Sequence, residues 1–442
     1  MVKIVFVGAG SIVFAKTLLN DILQFPVLQD SHFVFMDINA GRLKDIVRLA
    51  QIIIQNEGFK AKISATQNRL EALKGANYVI NMVQIGGLEA YRHDVEIPIK
   101  YGINQCVGDT LGPGGMFRAF RTIPFMLDLC REMERVCPHA LLLNYVNPMA
   151  TNCLAVFKNS SIRCVGLCHS VQGTASQLAQ YAGVDFKDVT YWAAGINHMS
   201  FYLKIEYQGK DLYPRLWKKM HPAGVPEKKD TTRYEMMKAL GYFITESSGH
   251  LSEYLPFYRK RKDLLKKFML PGFGGEPHYY YNRCVRDAKN YKHTIQNLFK
   301  DKDQLRLKPL SLEYGAPIIN AEVTDTYFRM NGNVYNRGLI SNLPEGCCVE
   351  VPCLVDSFGI HPCVMGNLPE PCAALIRSNV NVQLIGSEAA VRGDRDMAYQ
   401  SILMDPLTAA VLAPHEIRRM VDEMFIAEKK WLPQFSYRLK RG

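Results

Sequence analysis

The chain has no run of about 18 consecutive apolar residues, so no helix is expected to span a membrane. It also lacks the basic n-region, the longer apolar run and the small-residue cleavage site of a secretory signal. Its amino terminus, MVKIVFVGAG, is apolar at once but breaks at glycine within ten residues. That segment reads as a first β-strand, and the protein as cytoplasmic. The twelve cysteines form no recurring CxxC pairs, which argues against a zinc ribbon. A reducing compartment makes disulfides a poor expectation. Most of these thiols read as small buried hydrophobes, although one that binds a metal can hide among them. No internal repeat and no low-complexity linker is present. The net charge is +11, with basic clusters at Lys218-Lys219, Lys228-Lys229, Arg259 to Lys262 and Arg438 to Arg441. None is interleaved with a nucleic-acid motif, so they read as a solvated surface, with neither nucleic acid nor membrane as partner.

What is present is enough apolar material for a large core: 442 residues, 48% of them hydrophobic. The first 170 or so residues alternate strand and helix. Lys3 to Val7, Phe33 to Met36, Tyr78 to Val83, Ala140 to Val146 and Cys164 to Leu167 read as short buried strands. Helical patterns lie at Ile12 to Gln24, Arg42 to Asn56 and Met116 to Arg135. Strands separated by helices imply parallel βαβ units and a doubly wound α/β sheet. The character changes near Tyr191. Phe201 to Tyr207 alternates and ends in Gln208-Gly209, an antiparallel hairpin signal. Helices are expected over Arg233 to Glu246, Tyr279 to Lys300, Ala373 to Leu403 and His415 to Ala427, with strands at Val334 to Ile340 and Val349 to Val355. Two interlocked domains are the simplest reading: residues 1–190 a Rossmann-like domain, and residues 191–442 a mixed α+β catalytic domain.

Gly8-Ala9-Gly10-Ser11-Ile12-Val13 sits between the first strand and the first helix. Glycine allows a turn at positive φ and close approach of backbone to a pyrophosphate, which then rests on the helix N-terminus. Val13 replaces the third glycine of the G-x-G-x-x-G pattern. Asp37 closes the second strand, where it can accept ribose hydroxyls and repel a 2′-phosphate. The expected cofactor is therefore NAD, held by Gly8, Gly10, Ser11, Ile12 and Asp37.

Cys168 and His169 directly follow an apolar strand. Asn197 and His198 follow Ala193-Ala194-Gly195-Ile196 about thirty residues later. A thiolate and an imidazole suit a borderline divalent metal such as Mn, Fe, Co, Ni or Zn, and two protein ligands leave positions open for a substrate. The glycine-dense loop at residues 108–124 carries Asp109, placed to hold sugar hydroxyls or to order the surroundings of a metal. Residues 241–255 are rich in polar groups for a stretch flanked by apolar residues, and Tyr242 there is a candidate base.

Together these residues resemble the family-4 glycoside hydrolases, and within them the α-galactosidases. The likeness runs from Phe6-Val7-Gly8-Ala9-Gly10-Ser11 to Trp431-Leu432-Pro433. Its most specific pieces are Leu143 to Ala150, Gly166 to Thr174 and Ala194 to Met199; Gly241-Tyr242 through Tyr254 and Leu343 to Val351 add to it. Cys168 to Val171, reading Cys-His-Ser-Val, looks like the α-galactosidase version of the motif. The resemblance implies a lactate/malate dehydrogenase-like fold and a reaction unlike the two-carboxylate scheme. NAD takes a hydride from C3 of the sugar, and the C2 proton is removed. The C1 leaving group is eliminated, water adds, and the steps reverse. It implies Mn²⁺ or another divalent transition metal on Cys168 and His198, Tyr242 as the proton-abstracting base and His169 as the acid. Asn147 is implied to contact cofactor and sugar, and Asp109, Asn197 and Arg283 the sugar. A homodimer or homotetramer is implied as well. Other open readings are an α-glucoside or α-uronide substrate, an NAD-dependent hydroxyacid dehydrogenase giving net NADH, and a non-catalytic sugar or NAD sensor.

Overall fold

The computed structural model describes residues 1–220 and 230–435. Lys228-Lys229 and Arg438 to Arg441 lie outside the described residues. Valine-, leucine- and phenylalanine-rich runs form the first strands, as expected for strands covered on both faces. They are β1 (Lys3–Val7), β2 (His32–Met36), β4 (Tyr78–Asn81), β5 (Leu141–Asn144) and β6 (Arg163–Gly166). β3 (Lys62–Thr66) lies at the edge and carries exposed residues, so its short polar sequence gives no strand signal. These six pair in parallel in the order β3-β2-β1-β4-β5-β6. That is the dinucleotide-fold order, with its switch point between β1 and β4.

The sheet does not stop there. β10 (Phe328–Tyr335) and β11 (Cys348–Asp356) form an antiparallel ribbon beside β6, joined to it at Asn333 and Gly166. On the far side of β11 follow β7 (Val189–Ile196), β8 (Met199–Tyr207) and β9 (Lys210–Asp211); β12 (Gly359–Pro362) pairs with β11. Residue 190 falls inside β7. One apolar cluster runs from Ile4 to Phe435 and takes residues from both halves.

Several expected helices are interrupted, two of them at a glycine in the left-handed region. Thr231–Leu240 ends at Gly241, φ 82°, and the chain then turns into an extended segment whose Ile244 bridges Phe201. Tyr279 to Lys300 divides at Asn290 into Tyr279–Lys289 and Tyr291–Lys300. Ala373 to Leu403 divides at Gly393, φ 65°, into Glu370–Arg392 and Arg395–Leu403. Arg259 is not a surface charge. It is fully buried and donates to the carbonyls of Asn104, Gly249 and Gly275 and to Ser252 Oγ.

Candidate active site

The cradle at the end of β1 is built by close approach. Gly8 has φ 89°, and a Cβ there would sit 2.9 Å from the backbone nitrogen of Val83. The N–H groups of Gly8 and Ala9 donate to Met36 O at 2.9 and 3.0 Å, clamping the turn to β2. Gly10 N–H donates to Asp37 Oδ2 at 2.7 Å, and a Cβ at Gly10 would lie 2.6 Å from that same oxygen. Helix Ile12–Leu23 starts with no side-chain cap, and Ser11 is exposed, so its first N–H groups are free to bind an anion. Val13 is 62% exposed. A third glycine serves close packing of helix on strand; at a solvent-facing position that need is gone. The structure thus gathers Gly8, Gly10, Ser11, Ile12 and Asp37 at one sheet edge.

Cys168 follows β6, and His198 is the second residue of the two-residue loop Asn197-His198 between β7 and β8. His198 has φ 65°, an unusual conformation for a side chain with a Cβ. Its Nε2 lies 3.3 Å from Cys168 Sγ. Behind it, Nδ1 contacts His250 Nε2 at 2.8 Å and the Tyr254 hydroxyl at 3.4 Å. His250 Nδ1 is 3.3 Å from Glu253 Oε2. Burial, then His250, lower the His198 pKa to about 4, so its imidazole is neutral, as a metal ligand must be. Burial raises the Cys168 thiol, and a bound cation would deprotonate it. For His250 burial opposes protonation, but Glu253 prevails and raises it to about 9. Burial pushes Glu246 up, yet the histidines His198 and His250 and the Ser247 hydroxyl hold it at about 2. Among the described residues no group of three or more His, Cys, Asp or Glu side chains is placed to hold a metal ion. Cys168 and His198 are a two-donor set, sulfur and imidazole nitrogen, that fits a borderline divalent cation with positions left for ligand oxygens.

Asp109, 4% exposed, meets Asn147 across the site: Asn147 Nδ2 donates to Asp109 Oδ2 at 3.3 Å. Thr110 Oγ1 donates to Asp109 Oδ1 at 2.6 Å. Arg118, not singled out from sequence, lies 3.7 Å from Asp109 and donates to Asn147 O at 3.1 Å. Burial opposes ionisation of Asp109, but Arg118 overrides it and keeps the carboxylate charged. The Asn147-Pro148 peptide is cis. Asn197 is 1% exposed, and its side chain meets the buried carboxylate of Glu350.

His169 stands in the open, its side chain 68% exposed, with Nδ1 3.3 Å from Glu313 Oε1. Glu313 and then Cys168 raise its pKa to about 10, an effect that solvent screens at so open a position. Two candidates make other contacts. The Arg283 guanidinium lies over Phe273 and 3.8 Å from Asp287, while burial, helped by the charge of Asp109, raises the pKa of its helix neighbours Tyr280 and Cys284. The ring of Tyr242 meets Tyr213 edge-on at 6.4 Å; the tyrosine beside His198 is Tyr254. His250, Glu253 and Tyr254 fall in the polar stretch already noted in the sequence. The i,i+3 spacing of His250 and Glu253 on a helical turn was the available signal.

A model of the family 4 glycosyl hydrolases matches residues 3–184, and a model of the family 4 glycosyl hydrolase C-terminal domain matches residues 193–408. The chain belongs to glycosyl hydrolase family 4. An α-galactosidase of Bacillus subtilis (strain 168) is 39% identical over 439 residues, covering 99% of this chain and 100% of that protein. An α-galactosidase of Rhizobium meliloti (strain 1021) is 39% identical over 441 residues, covering 98% and 90%. The 6-phospho-β-glucosidase of Thermotoga maritima, solved with manganese, NAD⁺ and glucose-6-phosphate, superposes with a TM-score of 0.79 at 22% identity, covering 97% of this chain and 99% of that one. A malate dehydrogenase of Plasmodium falciparum superposes at 0.52 and 12% identity, covering 90% and 100%. The chain thus shares its fold with both, and β7 to β12 extend the parallel sheet.

Proposed function

We propose that this family 4 enzyme hydrolyses terminal α-galactosides, with NAD and a divalent transition metal, Mn²⁺ foremost, bound. The observation that carries the reading is the Cys168–His198 pair, 3.3 Å apart at the same sheet edge as the glycine cradle. The Cys-His-Ser-Val run and the two full-length α-galactosidase relatives support galactose as the sugar. When bound, NAD accepts and returns a hydride, and the cation draws charge from a sugar oxygen.

The chain's own residues do the rest. Gly8, Gly10, Ser11, Ile12 and Asp37 hold the dinucleotide, and Cys168 and His198 hold the cation. Asp109, Asn147 and Asn197 hold sugar hydroxyls: Asp109 as an ionised acceptor, Asn147 and Asn197 each as donor and acceptor. Arg283 is retained as a sugar contact, its side chain half-exposed. His169, charged beside Glu313, holds a proton for the leaving group. Tyr242, half-buried, removes the C2 proton. Residues 1–190 are the nucleotide unit and residues 191–442 the catalytic unit. No helix among the described residues is long and apolar enough to cross a membrane. All twelve cysteines are free, which supports a cytoplasmic setting, and we expect a homodimer or homotetramer.

The test is hydrolysis of p-nitrophenyl α-galactoside by EDTA-treated protein under reductant, with NAD and Mn²⁺ added back singly and together. Turnover with both and with neither alone is the expected result. Turnover without NAD overturns the redox route, and NADH accumulating with product means a dehydrogenase. Inactivity here with turnover of an α-glucoside or α-uronide changes the sugar and leaves the chemistry.

A further inference from the structure

Glu253 is 1% exposed, and its carboxylate serves two structures at once. Oε1 accepts from the backbone N–H groups of Cys106 and Val107 at 2.6 and 2.7 Å. Oε2 accepts from Gly108 N–H at 3.1 Å and Gln105 Nε2 at 3.4 Å, and lies 3.3 Å from His250 Nδ1. The turn it grips, Gln105 to Gly108, runs directly into Asp109, and the histidine it touches stands behind His198.

We propose that Glu253 is a positioning residue joining the two halves of the site: through His250 it sets the ring of His198, and through the Gln105–Gly108 turn it sets Asp109. The inference rests on the reading of Cys168 and His198 as cation ligands. The donor and acceptor rules make the His250 contact directional. With a cation on His198 Nε2, the ring's one proton sits on Nδ1 and must be donated to His250 Nε2. His250 then keeps its own proton on Nδ1, facing Glu253. A carboxylate accepts there whether His250 is neutral or charged. An amide at position 253 can instead present N–H to His250 Nδ1. That forces the His250 proton onto Nε2 and the His198 proton onto its own Nε2, where the cation has to bind. Outer partners of this kind typically tune metal affinity by about 10–100-fold. The Asp109 arm is separate, because it runs through three backbone N–H groups that make no contact with His250.

The experiment is a Mn²⁺ titration followed by the electron spin resonance signal of the free ion, on wild type, Glu253→Gln, His250→Asn and Cys168→Ser. The KM for p-nitrophenyl α-galactoside and the NAD affinity are measured alongside for the first three. Glu253→Gln and His250→Asn are each expected to weaken Mn²⁺ binding by about 10–100-fold and to leave NAD binding unchanged. Only Glu253→Gln is also expected to raise KM, by about tenfold, the worth of one charge-assisted hydrogen bond. Wild-type Mn²⁺ affinity in His250→Asn overturns the proposal, and that variant decides the matter alone should Glu253→Gln fail to fold. Equal KM values in the two variants remove the Asp109 arm. If Cys168→Ser itself binds Mn²⁺ like wild type, the cation reading fails rather than the role of Glu253.

Discussion

At the scale of single residues the site is a set of side chains whose chemistry depends on one neighbour each. Cys168 is a half-buried thiol until His198 stands beside it. Cys168→Ser replaces a polarisable sulfur with a hydroxyl, a far poorer ligand for a borderline metal. Metal content after dialysis and glycosidase activity are expected to fall together; retained metal with lost activity would show that Cys168 acts in another way. The two tyrosines separate by experiment. Tyr242→Phe is expected to bind NAD normally and to slow turnover by about 10²–10⁴-fold, the usual worth of a general base. Tyr254→Phe, which loses only the hydroxyl 3.4 Å from His198, is expected to weaken Mn²⁺ binding instead. Exchange of C2 deuterium with solvent tells them apart: if it survives in Tyr242→Phe and vanishes in Tyr254→Phe, the base is Tyr254. Asp37→Ala removes the acceptor that folds onto Gly10 and leaves Arg42, 3.5 Å from Gly10 O, free to meet a phosphate. Weaker NAD binding and a smaller preference over NADP are expected in paired fluorescence titrations. Cys168, His198 and Asp37 were legible in the sequence because each directly follows an apolar strand or joins two. His250 and Glu253 were not, since their meaning comes from segments that meet only in space: Glu253 reaches Cys106 from 147 positions away.

At the scale of elements, periodicity located most strands and helices but ran through their breaks. Gly241, Asn290 and Gly393 each interrupt a pattern whose apolar spacing continues on the other side. The apolar spacing reports burial, and burial does not stop where the axis turns. β3 and helix Gly87–Lys100 were missed for different reasons: the strand is an exposed edge with little apolar content, and the helix begins at a left-handed Gly86 and carries Pro98 in its last turn. One short helix offers a pH test. Asp405 caps Pro406–Val411 through Thr408 N and Oγ1, and it is fully buried. Burial raises its pKa from 3.8 to about 6 despite those bonds. The folded chain therefore holds a proton that the unfolded chain has lost between about pH 4 and pH 6. Stability falls as pH rises through that window, by about 3 kcal/mol. Asparagine keeps the cap without the charge. Asp405→Asn is expected to gain stability relative to wild type by up to about 3 kcal/mol as urea unfolding is moved from about pH 4 to pH 7. A difference that does not change with pH would mean that Asp405 titrates normally.

At the scale of the molecule, the two halves share one sheet and one core. A fragment of residues 1–190 lacks the ribbon that pairs with β6 and is cut inside β7. It is expected to unfold without a cooperative transition, while the whole chain unfolds as one unit in urea. A fragment with a sharp transition and NAD binding would establish the first half as a self-sufficient domain. The ribbon's place also has a consequence for synthesis. Between Gly166 at the end of β6 and Phe328 at the start of β10 lie about 160 residues. At roughly 5–20 residues per second, the growing chain carries β6 with one edge unpaired for about 8–30 s before its second neighbour leaves the ribosome. An open strand edge is a template for association with other chains. Overexpression that outruns chaperone supply should therefore cost soluble yield through this edge, and slower translation or a lower growth temperature should recover it.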